Sequence, residues 1–294
     1  MKQPVFEGTC TALITPFAEH QINYELFDTL LARQIQAGVS AVAVCATTGE
    51  AATMSDREQT ALIAHCVTAA NGACKVIAGT GTNDTVHAIE KSKAAEAAGA
   101  DALLVVTPYY NKCNSDGLLR HYTALADAVH IPVILYNVPS RTGVHMTPSQ
   151  YAALAKHPNI AGVKEACGNT AQVSRTIALC GPDFPIWSGN DDQNVPILAL
   201  GGRGVISVLS NLAPELVCQM TDACLAQDYP RAAKLQNESM DLIDALFSEV
   251  NPIPIKAAMC LAGFPVGPCR LPLGEMSAPA LENLRQVMHR HGLC

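Results

Sequence analysis

Short, continuously apolar runs alternate along this chain with longer stretches of helical periodicity, at a spacing of roughly 20–35 residues. The apolar runs cover residues 8–14, 41–45, 75–78, 102–106, 133–136, 160–164, 184–188 and 204–208. They do not alternate apolar with polar, so they predict parallel strands buried on both faces. Between them the pattern predicts helices, among them 24–37, 55–70 and 85–98. Ser55-Asp56-Arg57-Glu58 forms a capping box that marks the start of the second. Beyond the eighth run the pattern is helical only, over about 229–250, 254–262 and 279–291.

Eight strands with intervening helices predict a (β/α)₈ TIM barrel over residues 1–225, with residues 226–294 as a C-terminal helical appendage packed on it. A doubly wound open sheet is the second choice, weakened because no G-x-G-x-x-G follows the first strand. At 49% hydrophobic and 15% charged residues, the chain has material for a substantial core and little tendency to disorder.

A net charge of -7 argues against nucleic acid or an anionic membrane as the main partner, though a local site can still be positive. The 12 cysteines lie scattered within apolar patterns, with no C-x-x-C pair. Met1-Lys2-Gln3-Pro4 begins no long apolar run, so no secretion signal is expected, and no segment has the length and apolarity of a membrane span. Together these features suggest a reduced, cytoplasmic protein whose cysteines act as small hydrophobes.

In such barrels the chemistry lies just after each strand. Here those positions hold Thr47-Thr48-Gly49-Glu50, Thr107-Pro108-Tyr109-Tyr110-Asn111, Tyr136-Asn137-Val138-Pro139-Ser140-Arg141-Thr142-Gly143 and Ser188-Gly189-Asn190-Asp191. The sixth strand, Ile160-Ala161-Gly162-Val163-Lys164, ends in a lysine. Burial disfavours the charged form of an amine and favours a free nucleophile. One amine, several hydroxyls and one guanidinium at a single mouth suit carbonyl chemistry through a Schiff base, with Arg141 as a bidentate carboxylate clamp. Each residue also has a plainer reading: Lys164 leaving the sheet into solvent, Tyr136 capping the barrel, Arg141 a surface charge, the threonines bonded to turn backbone.

Four motifs resemble those of the dihydrodipicolinate synthase family of pyruvate-dependent aldolases and lyases. They are Gly-Thr-Gly-x-Asn at 79–83, Tyr-Asn-Val-Pro-Ser-Arg-Thr-Gly at 136–143, Gly-Val-Lys-Glu-Ala at 162–166 and Asn-Pro-Ile-Pro-Ile-Lys at 251–256. The resemblance runs from Gly8 to the C-terminal helices. It implies a lyase that condenses pyruvate with L-aspartate 4-semialdehyde to 4-hydroxy-tetrahydrodipicolinate, on the route to diaminopimelate and lysine. Lys164 matches the imine-forming lysine and Tyr136 the proton shuttle. Thr47 matches the link to a second tyrosine, Tyr110, donated by a neighbouring subunit. Thr48 matches the residue that holds the pyruvate carboxylate, and Arg141 the one that binds the second carboxylate. Gly189 and Ile206 match positions lining the pyruvate pocket. The family needs no metal or organic cofactor and is usually a tetramer built as a dimer of dimers.

Ala46 departs from the glycine that often precedes the two threonines, and Asn190 from a frequent aspartate. The resemblance also implies a lysine-binding cleft at Ala51, Asp56, Gln59, Asn83, His87 and Tyr109. There His87 replaces a glutamate of lysine-sensitive members, so weak or absent inhibition by lysine is expected. Lys256 is expected to be structural. Gly201-Gly202-Arg203-Gly204 precedes its strand and is not read as a phosphate site, nor His289-Arg290-His291 as a metal site. The rival functions are a sugar-acid aldolase on the same barrel and a non-catalytic small-acid sensor.

Overall fold

In the computed structural model, which describes residues 3–294, eight parallel strands close into a barrel. They are β1 (Gly8–Ala12), β2 (Ala41–Val44), β3 (Lys75–Gly79), β4 (Ala102–Val106), β5 (Val133–Asn137), β6 (Ile160–Glu165), β7 (Ile186–Ser188) and β8 (Gly204–Ser207). Each pairs with its neighbour in sequence, and β8 closes on β1 with Gly204 opposite Gly8 and Ser207 opposite Thr11. The (β/α)₈ barrel expected from the sequence is the fold. Met1 and Lys2, which open the stretch read for a secretion signal, lie outside the described residues.

The strand ends differ from expectation for local reasons. β1 stops at Ala12, and the next residues turn aside so that the Ile14 N–H donates to Asn211 Oδ1 at 3.0 Å. β2 stops at Val44 because Cys45 takes a left-handed φ of 54°. β7 begins at Ile186 rather than residue 184, since Pro185 has no N–H to give a ladder, although its carbonyl still accepts from Val163 N at 3.0 Å.

Along each strand, side chains alternate between two apolar cores. Val133, Leu135, Val163 and Val205 face the helices, whereas Ile134, Tyr136 and Ile206 face the barrel interior. At one end of the interior Phe6 stacks on Trp187, with ring centroids 5.1 Å apart, and the Trp187 indole N–H donates to the Phe6 carbonyl at 3.2 Å. A dry plug therefore fills the end from which the strands start, and polar groups are confined to the other.

The capping box is present: the Ser55 hydroxyl accepts from Glu58 N at 3.3 Å, and the Glu58 carboxylate accepts from Ser55 N at 2.8 Å. The single helix expected over 229–250 is instead two, Tyr229–Glu238 and Met240–Leu246. Between them the Ser239 hydroxyl donates to the carbonyls of Leu235 at 2.9 Å and Gln236 at 3.0 Å, competing with the helical ladder. Met240–Leu246 packs on the turn at Asp191–Gln193, and Ile253–Leu261 on the turn at Leu209–Asn211. Those turns follow β7 and β8, so the appendage stands at the end where the strands finish. All twelve cysteines are free, six of them buried.

Candidate active site

Tyr136 and Lys164 are direct partners across the ladder between β5 and β6. Both point into the barrel, and the Lys164 amine lies 4.5 Å from the centroid of the Tyr136 ring. The lysine is almost wholly buried, at 4% exposure, rather than leaving the sheet into solvent. Gly189 makes room for it. A methyl group there would come within 3.0 Å of Lys164 Cε and 2.9 Å of Ala166 Cβ. Ile206 closes the same interior from β8, fully buried.

The residue after the lysine faces the other way and anchors the strand end. The buried carboxylate of Glu165 accepts from Asn137 Nδ2 at 2.8 Å, Cys167 N at 3.0 Å, the Tyr151 hydroxyl at 2.8 Å and Gln172 Nε2 at 3.1 Å. Four donors satisfy both oxygens, so this group is structural support rather than a free acid. Burial, together with the adjoining Glu165 charge, pushes the Tyr151 phenol well above its ordinary range and keeps it a donor.

The segment after β2 is held by backbone turns at both ends, with Cys45 at φ 54° and Glu50 at φ 57°. Glu50 is buried, accepting from Lys256 Nζ at 2.7 Å and from Arg270 N at 2.8 Å. Between the two turns the Thr48 hydroxyl accepts from Asn251 Nδ2 at 3.0 Å. Arg141, on the single turn Pro139–Thr142, donates to the Asn251 carbonyl at 3.4 Å. The Thr142 hydroxyl ties that turn to the residue after β4 by accepting from Thr107 Oγ1 at 3.0 Å.

A cavity of about 350 Å³ opens above these groups, lined by Thr47, Tyr136, Arg141, Asn251, Lys91 and Tyr109 among others. Burial lowers the pKa of Lys91, and it pushes the Cys45 thiol up to about 12, so this cysteine stays neutral. Thr47, Tyr136 and Arg141 thus share one cavity, while Lys164, Thr48 and Ile206 lie buried at the same end of the barrel, with Gly189 half-buried beside Lys164. Tyr110 does not join them: it is 89% exposed, with a left-handed φ of 69°. Asn251 and Glu165 carry bonds that sequence reading did not assign. The available signals were a polar residue heading the Asn-Pro-Ile-Pro motif and a carboxylate in a doubly buried strand.

Among the described residues, no group of three or more His, Cys, Asp or Glu side chains is placed to hold a metal ion. His291 instead bonds Asp241 at 2.7 Å. No described helix is long and apolar enough to cross a membrane.

The barrel, with a buried amine against a phenol and an arginine at the cavity rim, defines the chain's class: an α/β-barrel enzyme. The chain belongs to the Dihydrodipicolinate synthetase family, whose model matches residues 5–291. It is 50% identical over 291 residues to the 4-hydroxy-tetrahydrodipicolinate synthase of a Thermoanaerobacter species, covering 99% of this chain and 98% of that one. It is 47% identical over 293 residues to the protein of that name from Acetivibrio thermocellus, covering 100% of both. The crystal structure of DHDPS from Cyanidioschyzon merolae with lysine bound superposes with a TM-score of 0.96 at 40% identity, covering 99% of this chain and 100% of that one.

Proposed function

We propose that this chain catalyses the reaction its relatives are named for, condensing pyruvate with L-aspartate 4-semialdehyde to give 4-hydroxy-tetrahydrodipicolinate. The observation that carries the reading is the buried Lys164 amine set by strand register against Tyr136, beneath a cavity rimmed by Arg141.

The Lys164 amine adds to the pyruvate ketone and water leaves, giving a protonated imine that serves as electron sink. Loss of a methyl proton gives the enamine, whose carbon forms the new C–C bond to the aldehyde. The substrate's own amine then attacks the imine carbon, closing the ring as the C–N bond to Lys164 breaks and the free amine returns. Tyr136 relays the protons, with Thr47 and a Tyr110 donated by a neighbouring copy completing the path. Thr48 holds the pyruvate carboxylate, Arg141 that of the semialdehyde, and Gly189 and Ile206 shape the pocket. Holding enamine and aldehyde at bonding distance is the main catalytic work.

On this reading the enzyme is a cytoplasmic homotetramer, a dimer of dimers, and needs no metal or organic cofactor. Residues 1–225 carry the chemistry and residues 226–294 brace it. Borohydride reduction in the presence of pyruvate should add one pyruvate-derived mass to Lys164, and Lys164→Ala should lose it. A coupled assay with aspartate semialdehyde should then show turnover. An adduct mapped to Lys256, or trapping without turnover of the semialdehyde, would overturn the assignment, the latter in favour of a sugar-acid aldolase.

A further inference from the structure

The Asn-Pro-Ile-Pro-Ile-Lys motif has no role in the reaction as described, yet its first residue joins both carboxylate anchors. Asn251 is buried and lines the cavity. Its side-chain N–H donates to Thr48 Oγ1 at 3.0 Å, and its backbone carbonyl accepts from Arg141 Nη2 at 3.4 Å. Its own Oδ1 is buried without a partner, a state that buried amides rarely hold without a reason.

A threonine hydroxyl has one proton and two lone pairs. With a lone pair of Thr48 engaged by the Asn251 N–H, its proton is left to be given elsewhere, and accepting one bond strengthens the other. A hydroxyl so prepared favours an anionic acceptor over any donor. Resting on the assignment of the pyruvate carboxylate to Thr48, we propose that Asn251 is a positioning residue. It orients Thr48 as a donor to that carboxylate and keeps Arg141 in register for the second one. It touches no reacting atom.

The test is a double-mutant cycle on Asn251 and Thr48, read as the pyruvate concentration that half-saturates borohydride trapping on Lys164. Asn251→Ala should raise that concentration about ten-fold in the wild-type background, on the scale of a weakened charge-assisted hydrogen bond. In a Thr48→Val background the same change should shift it less than about two-fold, because its route of action is gone. Equal shifts in both backgrounds would overturn the proposal. So would an unchanged half-saturation with a lowered melting temperature, the mark of a merely structural amide. Asn251→Asp, an isosteric side chain that can only accept, should also raise the half-saturation, and it supplies the cycle if the alanine variant does not fold. No change in Asn251→Asp would mean that Thr48 donates to Asn251 and the proposal is wrong. Failure of the wild type to trap pyruvate would instead sink the functional reading itself.

Discussion

Glu50 and Lys256, far apart in the sequence, form an ion pair of 2.7 Å with side chains 0% and 3% exposed. The lysine amine also donates to the Pro268 carbonyl at 3.0 Å and lies 4.6 Å from the centroid of the Phe17 ring. Glu50 ends the loop that carries Thr47 and Thr48, and Lys256 belongs to the helix Ile253–Leu261. That helix is therefore joined to the loop by a desolvated charge pair. The Lys256 amine is thus committed to Glu50 and the Pro268 carbonyl.

Removing one partner of such a pair leaves an uncompensated buried charge, which costs about 3–5 kcal/mol. Lys256→Met should lower the unfolding free energy by that amount in urea titration, and Glu50→Gln by somewhat less. The double variant should be more stable than Lys256→Met alone, since no bare charge remains. A loss below about 1 kcal/mol in Lys256→Met would place the pair in the class of solvent-screened surface bridges.

Gly189 is needed for space, not for an unusual backbone angle. Gly189→Ala puts a methyl 3.0 Å from Lys164 Cε, so the amine must shift by a few tenths of an ångström. Overpacking should cost about 1–3 kcal/mol of stability. Trapping and turnover, which depend on the amine's placement, should fall about ten- to a hundred-fold. Undiminished trapping by the folded variant would show that the lysine relaxes at no cost.

The barrel was legible in the sequence because a buried parallel strand must be apolar throughout, and eight such runs stood between helical stretches. Lys164 was legible because an amine ending such a run is conspicuous. Asn251 was not: its contacts to Thr48 and Arg141 cross more than a hundred residues, and nothing local announces them. The break at Ser239 was hidden because apolar periodicity continues through it, and only the serine's bonds to Leu235 and Gln236 interrupt the helix. Tyr110 by its local pattern is one more aromatic at a strand end, and only the family resemblance implies that it reaches toward a neighbouring subunit; the structure has it 89% exposed.

A pH effect on stability follows from Glu58. A side-chain hydrogen bond from Arg270 lowers its carboxyl to about 2, with Arg270 Nη2 at 2.6 Å. A depressed carboxylate stabilises the fold above its unfolded value, near 4.3, and loses that contribution as pH falls through the folded value. The carboxylate is about one-third exposed, so solvent screening limits the effect to roughly 1 kcal/mol. Between roughly pH 5 and pH 2 the wild type should lose about that much more stability than Glu58→Gln. Parallel pH profiles for the two proteins would refute the coupling.

The outward Tyr110 makes a prediction about assembly. If its phenol serves a neighbouring copy's site, Tyr110→Phe and Arg141→Ala chains should complement each other when mixed. A hybrid dimer then contains one site with both lesions and one with neither, so activity should return toward half of wild type in fully mixed dimers. Dimers shown by mass to be hybrid but without recovered activity would mean that Tyr110 acts within its own chain.

His87, standing where lysine-sensitive members of the family carry a glutamate, bears on inhibition by lysine. In the cleft implied by the family, His87 Nε2 lies 2.8 Å from Asp56 Oδ2, so each group has one atom engaged by the other. A neutral imidazole offers an ammonium group only one acceptor, and because the carboxylate can only accept, the contact uses the Nε2–H and leaves Nδ1 as that acceptor. Asp56, the one carboxylate able to replace the family's glutamate, gives Oδ2 to the same contact and keeps Oδ1 as an acceptor. Gln59 is turned away, its Nε2 donating to the carbonyls of Ala51 at 2.8 Å and Met54 at 2.9 Å. An imidazole in place of the family's glutamate forgoes a charge-assisted bond to the ammonium, a deficit of about 1.5–3 kcal/mol or about ten- to a hundred-fold in affinity, which Asp56 offsets only in part. Lysine should inhibit weakly or not at all in steady-state assays, and His87→Glu should move half-inhibition to lower concentrations by about that factor. Half-inhibition of the wild type at sub-millimolar lysine would show that the imidazole and Asp56 together hold the ammonium after all.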